Sequence, residues 1–307
     1  MLKISLLNAK INKIDSDREK YFQMYKEAGI DGLDYSINKF TEKNGYAPNF
    51  FAMSTDEIIE KHLAKEKEEL DRYGLEVCQT HAPFPTWRYG DEEGNKLRLT
   101  EAKKSIELTA YLGSKYVIVH PITESFALAP DELRKQNLEF YSALIETAKR
   151  CGVTICLENM WISRNGNIFE CTCADAYEAC DYIDTLNQMA GEECFGFCYD
   201  VGHATLCGKY MKNQLIALGS RIKALHIHDV SKMADLHTLP YSQMGNGATP
   251  LTDYRSMLLG LHAIGYRGAI NFEAHNAFEV FPEDTHGALL KLFHAIGAYF
   301  SDEITAE

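Results

Sequence analysis

The sequence has few prolines and no long apolar run, and these two shortages exclude several classes of protein. Only 8 of its 307 residues are proline, and no stretch is rich enough in proline, glycine and serine to form a long linker. No segment approaches the roughly 20 apolar residues that a membrane-spanning helix requires. Because 46% of the residues are hydrophobic, there is enough apolar material for one large core. We therefore expect a single domain over residues 1–307 and no membrane contact.

The features of exported proteins are also missing. Residues 1–5 lack the basic region and the apolar run with which a signal peptide begins. The 9 cysteines are odd in number and scattered along the chain, and Cys78, Cys156 and Cys198 lie within apolar runs. Such cysteines are typical of reduced, buried thiols. Together these features predict a cytoplasmic protein.

Basic residues are fewer than acidic residues. Lysine and arginine total 31 against 44 aspartate and glutamate residues, which gives a net charge of −13. Since proteins bind nucleic acid largely by neutralising its phosphates with lysine and arginine, this balance disfavours a nucleic-acid partner. The predicted loops at 38–54 and 82–96 contain no dense basic run either. The charge favours a small substrate that is uncharged or metal-bound, and leaves a homo-oligomer open.

The chain alternates short apolar runs with longer segments of helical periodicity. Strands are predicted near 3–8, 32–37, 75–80, 115–120, 153–158, 195–200, 223–228 and 268–273. Helices are predicted near 16–28, 55–73, 97–113, 130–151, 173–189, 209–220, 250–264 and 283–299. Eight such units are typical of the α/β class and of a (β/α)₈ TIM barrel. A doubly wound open sheet would need a glycine-rich phosphate turn after its first strand, and residues 6–10 contain no glycine.

Acidic and imidazole side chains lie at the ends of the last four predicted strands. They are Glu158, Asp200, His226 and Glu273. Carboxylates and imidazoles are the ligands that proteins offer to divalent metals. Glu158 and Glu273 each interrupt an apolar strand with a carboxylate, which is costly to bury without a cation or another partner. We therefore predict a divalent-metal site at the C-terminal end of the barrel, where barrel enzymes keep their active sites.

Further polar and aromatic residues fall at the same rim. The polar ones are His81, His120, His203, Asp235 and His237. A single histidine at a strand end usually bonds a loop carbonyl, and for His81 and His120 this interpretation and a functional one are equally open. Phe84, Trp87 and Trp161 follow two of these strands. They suggest an aromatic wall beside the site, with loop packing as the alternative.

With the ordered series Glu158, Asp200-x-x-His203, His226-x-His228 and Glu273, the chain resembles the xylose-isomerase-like TIM-barrel superfamily over essentially its whole length. That superfamily holds sugar isomerases and epimerases, inosose-processing enzymes and metal-dependent apurinic-site endonucleases. The resemblance implies that Glu158, Asp200, His226 and Glu273 hold one divalent metal ion and that His203 contacts a substrate oxygen. Four more residues match the extra ligands of the multi-zinc endonucleases, so the number of metal ions stays open: His81, His120, Asp235 and His237.

The resemblance implies a divalent-metal-dependent sugar isomerase or epimerase that acts on a ketose or related keto-sugar. Glu158 and Glu273 would transfer the proton through a metal-stabilised enediolate. Substrate binding is expected from His81, His120, His203 and Trp161. The metal could be Mn²⁺, Zn²⁺, Co²⁺ or Mg²⁺, because the ligands mix oxygen and nitrogen. Three alternatives remain: elimination on an oxidised glycoside, phosphodiester cleavage by several zinc ions, and a barrel that binds sugar without turnover.

Overall fold

A computed structural model describes residues 1–7, 18–40, 50–124 and 126–306 of the chain. Three of the predicted features therefore fall partly outside the described residues. They are the first two residues of the helix near 16–28, the end of the strand near 3–8, and positions 41–49 of the loop at 38–54.

Eight parallel strands form one sheet, and each lies within three residues of a predicted strand at both ends. They are β1 (Ile4–Leu7), β2 (Gly32–Ser36), β3 (Glu76–His81), β4 (Tyr116–Ile118), β5 (Thr154–Glu158), β8 (Phe195–Asp200), β9 (Ile222–His226) and β10 (Ile270–Phe272). The order in the sheet is β10-β1-β2-β3-β4-β5-β8-β9. Beyond β9, the amide of Ile227 donates to Asn271 O over 3.0 Å, and the amide of Glu273 donates to Ile227 O over 3.1 Å. These bonds join the two edges, and the predicted TIM barrel is confirmed.

The helices follow the strands along the chain and pack around the barrel. They are α1 (Arg18–Ala28), α2 (Thr55–Ile58), α3 (Ala64–Tyr73), α4 (Glu92–Tyr111), α5 (Pro130–Ser142), α6 (Ile145–Cys151), α7 (Ala176–Ala190), α8 (Val201–Leu206), α9 (Met211–Leu218), α10 (Tyr254–Ala263), α11 (Ala277–Val280) and α12 (His286–Thr305). A π-helical turn, Ile59–Leu63, joins α2 to α3. None of the helices in the described ranges combines the length and the apolar character needed to cross a membrane.

Local sequence signals account for several helix ends. Ser54 caps α2 with a capping box that it shares with Glu57, which satisfies amides that have no partner within the helix. Pro130 is the first residue of α5, where its missing amide proton is not needed. Gly74 and Gly152 end α3 and α6 in the left-handed conformation.

A β-hairpin, which the periodicity did not predict, follows β5 on the C-terminal side of the barrel. Its strands β6 (Trp161–Arg164) and β7 (Asn167–Glu170) are antiparallel. The two turn residues, Asn165 and Gly166, both have positive φ, at 54° and 77°. Asn-Gly is the preferred pair for such a turn, so the signal was present in the sequence. The hairpin carries Trp161 over the end of β5.

The barrel interior beneath the strand ends is partly apolar and partly polar. Ile118, Cys156, Cys198 and Ala224 form a small buried cluster of their own. Each lies two residues before His120, Glu158, Asp200 or His226, and therefore on the same face of its strand. On the other side of the barrel, β2, β3 and β10 carry Asp34, Gln79 and Asn271, all fully or almost fully buried. All 9 cysteines are free thiols.

Candidate active site

The four predicted metal ligands converge at the C-terminal end of the barrel. Each offers one ligand atom, and these atoms lie within 4.8 Å of one another. His226 Nδ1 is central, because it lies 3.3 Å from Glu158 Oε1, 3.3 Å from Glu273 Oε2 and 3.8 Å from Asp200 Oδ2. All four residues are buried, and Glu273 is the most exposed of them at 8%. The arrangement brings three carboxylates and one imidazole nitrogen to a common centre.

The donor set fits a divalent cation. His226 Nδ1 and Glu158 Oε1 face each other at 3.3 Å, and neither atom has a hydrogen-bond partner in the described part of the chain. The other ring nitrogen, Nε2, donates to Asp34 over 3.0 Å, which leaves a lone pair on Nδ1 when the ring is neutral. Buried carboxylates around such a lone pair are unfavourable unless a cation lies between them. Oxygen and nitrogen ligands in this ratio suit Mn²⁺, Co²⁺ or Zn²⁺.

His81 and His120 extend the site on the side of Glu158. His81 Nδ1 donates to Ala82 O over 2.8 Å, which is the ordinary role of a histidine at a strand end. Its Nε2, however, lies 3.0 Å from His120 Nε2, and His120 Nε2 lies 2.9 Å from Glu158 Oε2. His81, Glu158 and His226 form a second group with ligand atoms close enough for one ion. Both histidines therefore face the centre, and His81 also bonds locally to a loop carbonyl.

A third group lies on the side of Asp200. His228, Asp235 and His237 have ligand atoms within 4.8 Å of one another. Asp235 Oδ2 lies 3.1 Å from Nε2 of both His203 and His237. His203 Nδ1 donates to Asn159 O over 2.8 Å, and His237 Nδ1 donates to Glu273 O over 3.0 Å. Because backbone carbonyls take these protons, both Nε2 atoms are directed at the same carboxylate.

Burial and neighbouring charges shift the pKa values of the site residues in opposite directions. Burial lowers the pKa of His237, but Glu273 and Asp235 outweigh it and raise this pKa to about 9. Burial likewise lowers the pKa of His203, and Asp200 and Asp235 raise it well above its usual value. For Glu273, burial raises the pKa, but His226 and His237 lower it to about 2. In the metal-free protein, protonated histidines thus balance the carboxylates, and a bound cation would release those protons.

Of the three predicted aromatic residues, two lie beside the site and one lies against the core. The Phe84 ring lies 4.9 Å from the ring of His120, and the Trp161 ring lies 6.4 Å from that of His203. Phe84 is 40% exposed, so these two rings flank the open side of the site. Trp87 instead packs against the hydrophobic core.

Three further residues support the site from outside the predicted ligand set, and of these Asp34 was missed. Asn159 clamps the ends of β5 and β8, because its side chain exchanges two 2.8 Å hydrogen bonds with the backbone of Asp200. Asp229 accepts hydrogen bonds from Tyr254 Oη and the amide of Gln243, at 2.8 and 2.9 Å, and so holds the loop after β9. Asp34 Oδ2 accepts a hydrogen bond from His226 Nε2, the ring nitrogen that does not face Glu158 and Glu273. Its signal was present, since it is a carboxylate within an apolar strand, like Glu158.

Comparison with known proteins agrees with this fold. Residues 22–293 match the family described as xylose isomerase-like TIM barrel. The uncharacterized protein MJ1311 of Methanocaldococcus jannaschii is 29% identical over 252 residues, which cover 80% of each chain. An inosose isomerase of Halalkalibacterium halodurans is 25% identical over 256 residues, covering 76% of this chain and 80% of that protein. An inosose isomerase of Bacillus subtilis is 27% identical over 139 residues, covering 45% of this chain and 46% of that protein.

Solved structures of the same architecture superimpose on nearly the whole chain. A D-tagatose 3-epimerase-like protein has a TM-score of 0.67 at 22% identity, with 97% of this chain and 99% of that chain covered. An L-ribulose 3-epimerase has a TM-score of 0.70 at 17% identity, with 99% and 96% covered. At these identities the likeness concerns the fold. Since the family match spans most of the sequence, this chain belongs to the xylose isomerase-like TIM barrel family.

Proposed function

We propose that this protein is a divalent-metal-dependent sugar isomerase or epimerase that acts on a ketose or related keto-sugar. The observation that carries the proposal is the convergence of Glu158, Asp200, His226 and Glu273 within 4.8 Å at the C-terminal end of the barrel. Relatives named inosose isomerase and structural likeness to sugar epimerases support the reaction class.

A divalent cation bound by these four residues would polarise the substrate carbonyl and acidify the neighbouring C–H bond. The chain must then supply a base and an acid for the proton. Glu158 and Glu273 are the proposed pair, because each has an oxygen 3.3 Å from His226 Nδ1 and their strands, β5 and β10, are not neighbours in the sheet. Burial raises both pKa values, but neighbouring histidines, His226 among them, outweigh it and lower them, so both carboxylates are ionised at neutral pH. One carboxylate would remove the proton from carbon, and the other, after taking up a proton from solvent, would deliver it to a different face or carbon.

The rim residues would bind the sugar. Imidazoles can donate to or accept from hydroxyl groups, and His81, His120 and His203 surround the carboxylate centre. Trp161 would pack against the apolar face of the ring. Within the described ranges, the ion-pair partners of Glu158, Asp200, Asp235 and Glu273 are all histidines. Without lysine or arginine at these carboxylates, the site favours an unphosphorylated substrate.

A second candidate function is phosphodiester cleavage by several zinc ions. It is favoured by the group His228–Asp235–His237, which shares no residue with the four-ligand centre and could hold a further ion. The net charge of −13 opposes it, because a protein that grips DNA needs basic surface. We therefore rank it below the sugar reaction.

Solvent deuterium exchange into a panel of ketoses tests the proposal. The wild-type protein, saturated with Mn²⁺, should introduce deuterium at a carbon next to the carbonyl. Glu158→Gln and Glu273→Gln should each slow exchange about 100-fold or more at saturating metal, because the amide is not a base. The matched control is Glu66→Gln, which neutralises a buried carboxylate that accepts from Tyr35 Oη outside the site. Absence of exchange in every ketose, together with cleavage of an abasic-site DNA duplex, would replace the sugar assignment with the second candidate.

A further inference from the structure

Asp34 is a carboxylate in the barrel interior that no metal group includes. It lies in β2 and is fully buried. The pairing of β2 with β3 shifts by one residue between Leu33 and Asp34, so that Asp34 faces Gln79. Such a bulge redirects side chains, and here it brings a negative charge beneath the site. A buried carboxylate requires hydrogen-bond donors or a cation.

Three donors converge on one oxygen of this carboxylate. Asp34 Oδ2 accepts from Gln79 Nε2 over 2.9 Å, from Asn271 Nδ2 over 3.0 Å and from His226 Nε2 over 3.0 Å. Gln79 and Asn271 belong to β3 and β10, on opposite sides of β2 in the sheet. The carboxylate is therefore held from both sides, and His226 reaches it across the barrel.

The surrounding bonds determine which way each amide is oriented. Gln79 Nε2 also donates to Leu225 O over 3.2 Å, so its amide nitrogen, and not its oxygen, faces Asp34. Asn271 Oδ1 accepts from Ser5 Oγ over 2.7 Å, which directs its nitrogen to Asp34 as well. Asp34 is thus an acceptor for both amides, and His226 can bond to the same oxygen only if Nε2 carries a proton.

The hydrogen bond between His226 Nε2 and Asp34 also determines the state of the other ring nitrogen, Nδ1. With Nε2 protonated and held, a neutral His226 has its lone pair on Nδ1, the atom that lies 3.3 Å from both Glu158 and Glu273. A carboxylate behind a ligand histidine also increases the basicity of the nitrogen that binds the metal.

We propose that Asp34 is a positioning residue that fixes the tautomer and ring orientation of His226 for metal binding through Nδ1. This inference rests on the proposed metal site. It adds a residue from β2 to a centre whose ligands all come from the last four strands of the barrel.

The test compares Asp34→Asn with the wild-type protein and with Glu66→Gln. The asparagine keeps the shape and can still accept from His226, but it removes the negative charge. Glu66 is also buried, at 3% exposure, and its carboxylate accepts from Tyr35 Oη, so Glu66→Gln controls for the loss of a buried charge. We expect Asp34→Asn and Asp34→Ala to weaken Cd²⁺ affinity, measured by chelator competition, by about 10- to 100-fold. Glu66→Gln should remain within about twofold of wild type.

Nuclear magnetic resonance of the ¹¹³Cd-loaded, ¹⁵N-histidine-labelled protein provides a readout independent of activity. His226 should couple to cadmium through Nδ1 and carry its proton on Nε2, with its signals assigned by their loss in His226→Gln. Coupling through Nε2, or Asp34→Asn affinity equal to that of Glu66→Gln, would refute the positioning role while leaving the metal site intact. A wild-type protein that binds no Cd²⁺ would refute the metal site and the positioning role together. If Asp34→Ala fails to fold, Asp34→Asn decides the question alone.

Discussion

The stability of the metal-free protein should depend on pH through His237. Its pKa is raised from 6.5 to about 9 because Glu273 and Asp235 outweigh the effect of burial. A group whose pKa is higher in the folded than in the unfolded state stabilises the fold fully below its unfolded pKa. That contribution is lost as the pH rises through the folded pKa. For His237 the window therefore runs from about pH 6.5 to about pH 9.

The size of the stabilisation by His237 follows from its pKa shift. At about 1.4 kcal/mol per pKa unit, the contribution of His237 at low pH is about 3 kcal/mol, an upper value because its side chain is 20% exposed. Urea unfolding with a chelator present should be measured between pH 6 and pH 10 for the wild-type protein and for His237→Gln. The variant controls for the cysteines, tyrosines and lysines that titrate in the same range. The difference in unfolding free energy should be about 3 kcal/mol larger near pH 6 than near pH 10. A difference that stays constant with pH would show that the charge on His237 does not stabilise the fold.

Two further predictions concern the metal and the packing around it. The number of zinc ions bound per chain should be close to one and should not change in His81→Ala or His237→Ala, because neither residue belongs to the four-ligand centre. More than one tightly bound zinc ion per chain would favour the hydrolytic function. In Gly202→Ala the new Cβ would lie 2.1 Å from His228 Cε1, and His228 Nε2 lies 3.1 Å from Asp200 Oδ2. The variant should therefore lose about 1–3 kcal/mol of stability and bind metal more weakly. Its control Gly287→Ala, whose Cβ would meet only Met24 at 3.8 Å, should unfold like wild type or at slightly higher urea.

The barrel could be predicted from sequence because parallel strands buried on both faces are continuous apolar runs. The strand ends follow from the same pattern, so the rim residues Glu158, Asp200, His226 and Glu273 could be grouped without coordinates. The β6–β7 hairpin was missed because its strands are only four residues each, too short for an alternating pattern to stand out, although Asn165-Gly166 marked the turn.

The bonding partners within the site could not be predicted. Asp34 and His226 are 192 positions apart, and their contact depends on a one-residue register shift in β2. Which nitrogen of each histidine faces the centre depends on carbonyls such as Ala82 O and Asn159 O, whose directions are set by the loops. The sequence could name the ligand-type residues, but the tautomers and the division into three groups required coordinates.

Anomalous diffraction from crystals grown with Mn²⁺ would show directly whether these four residues hold a divalent metal ion. One strong peak should lie at the end of the barrel, about 2.0–2.2 Å from an oxygen each of Glu158, Asp200 and Glu273 and from Nδ1 of His226, as for zinc at such ligands. A protein that remains free of metal there, or that binds Mn²⁺ with these four side chains directed away from a common centre, would contradict the proposed metal site.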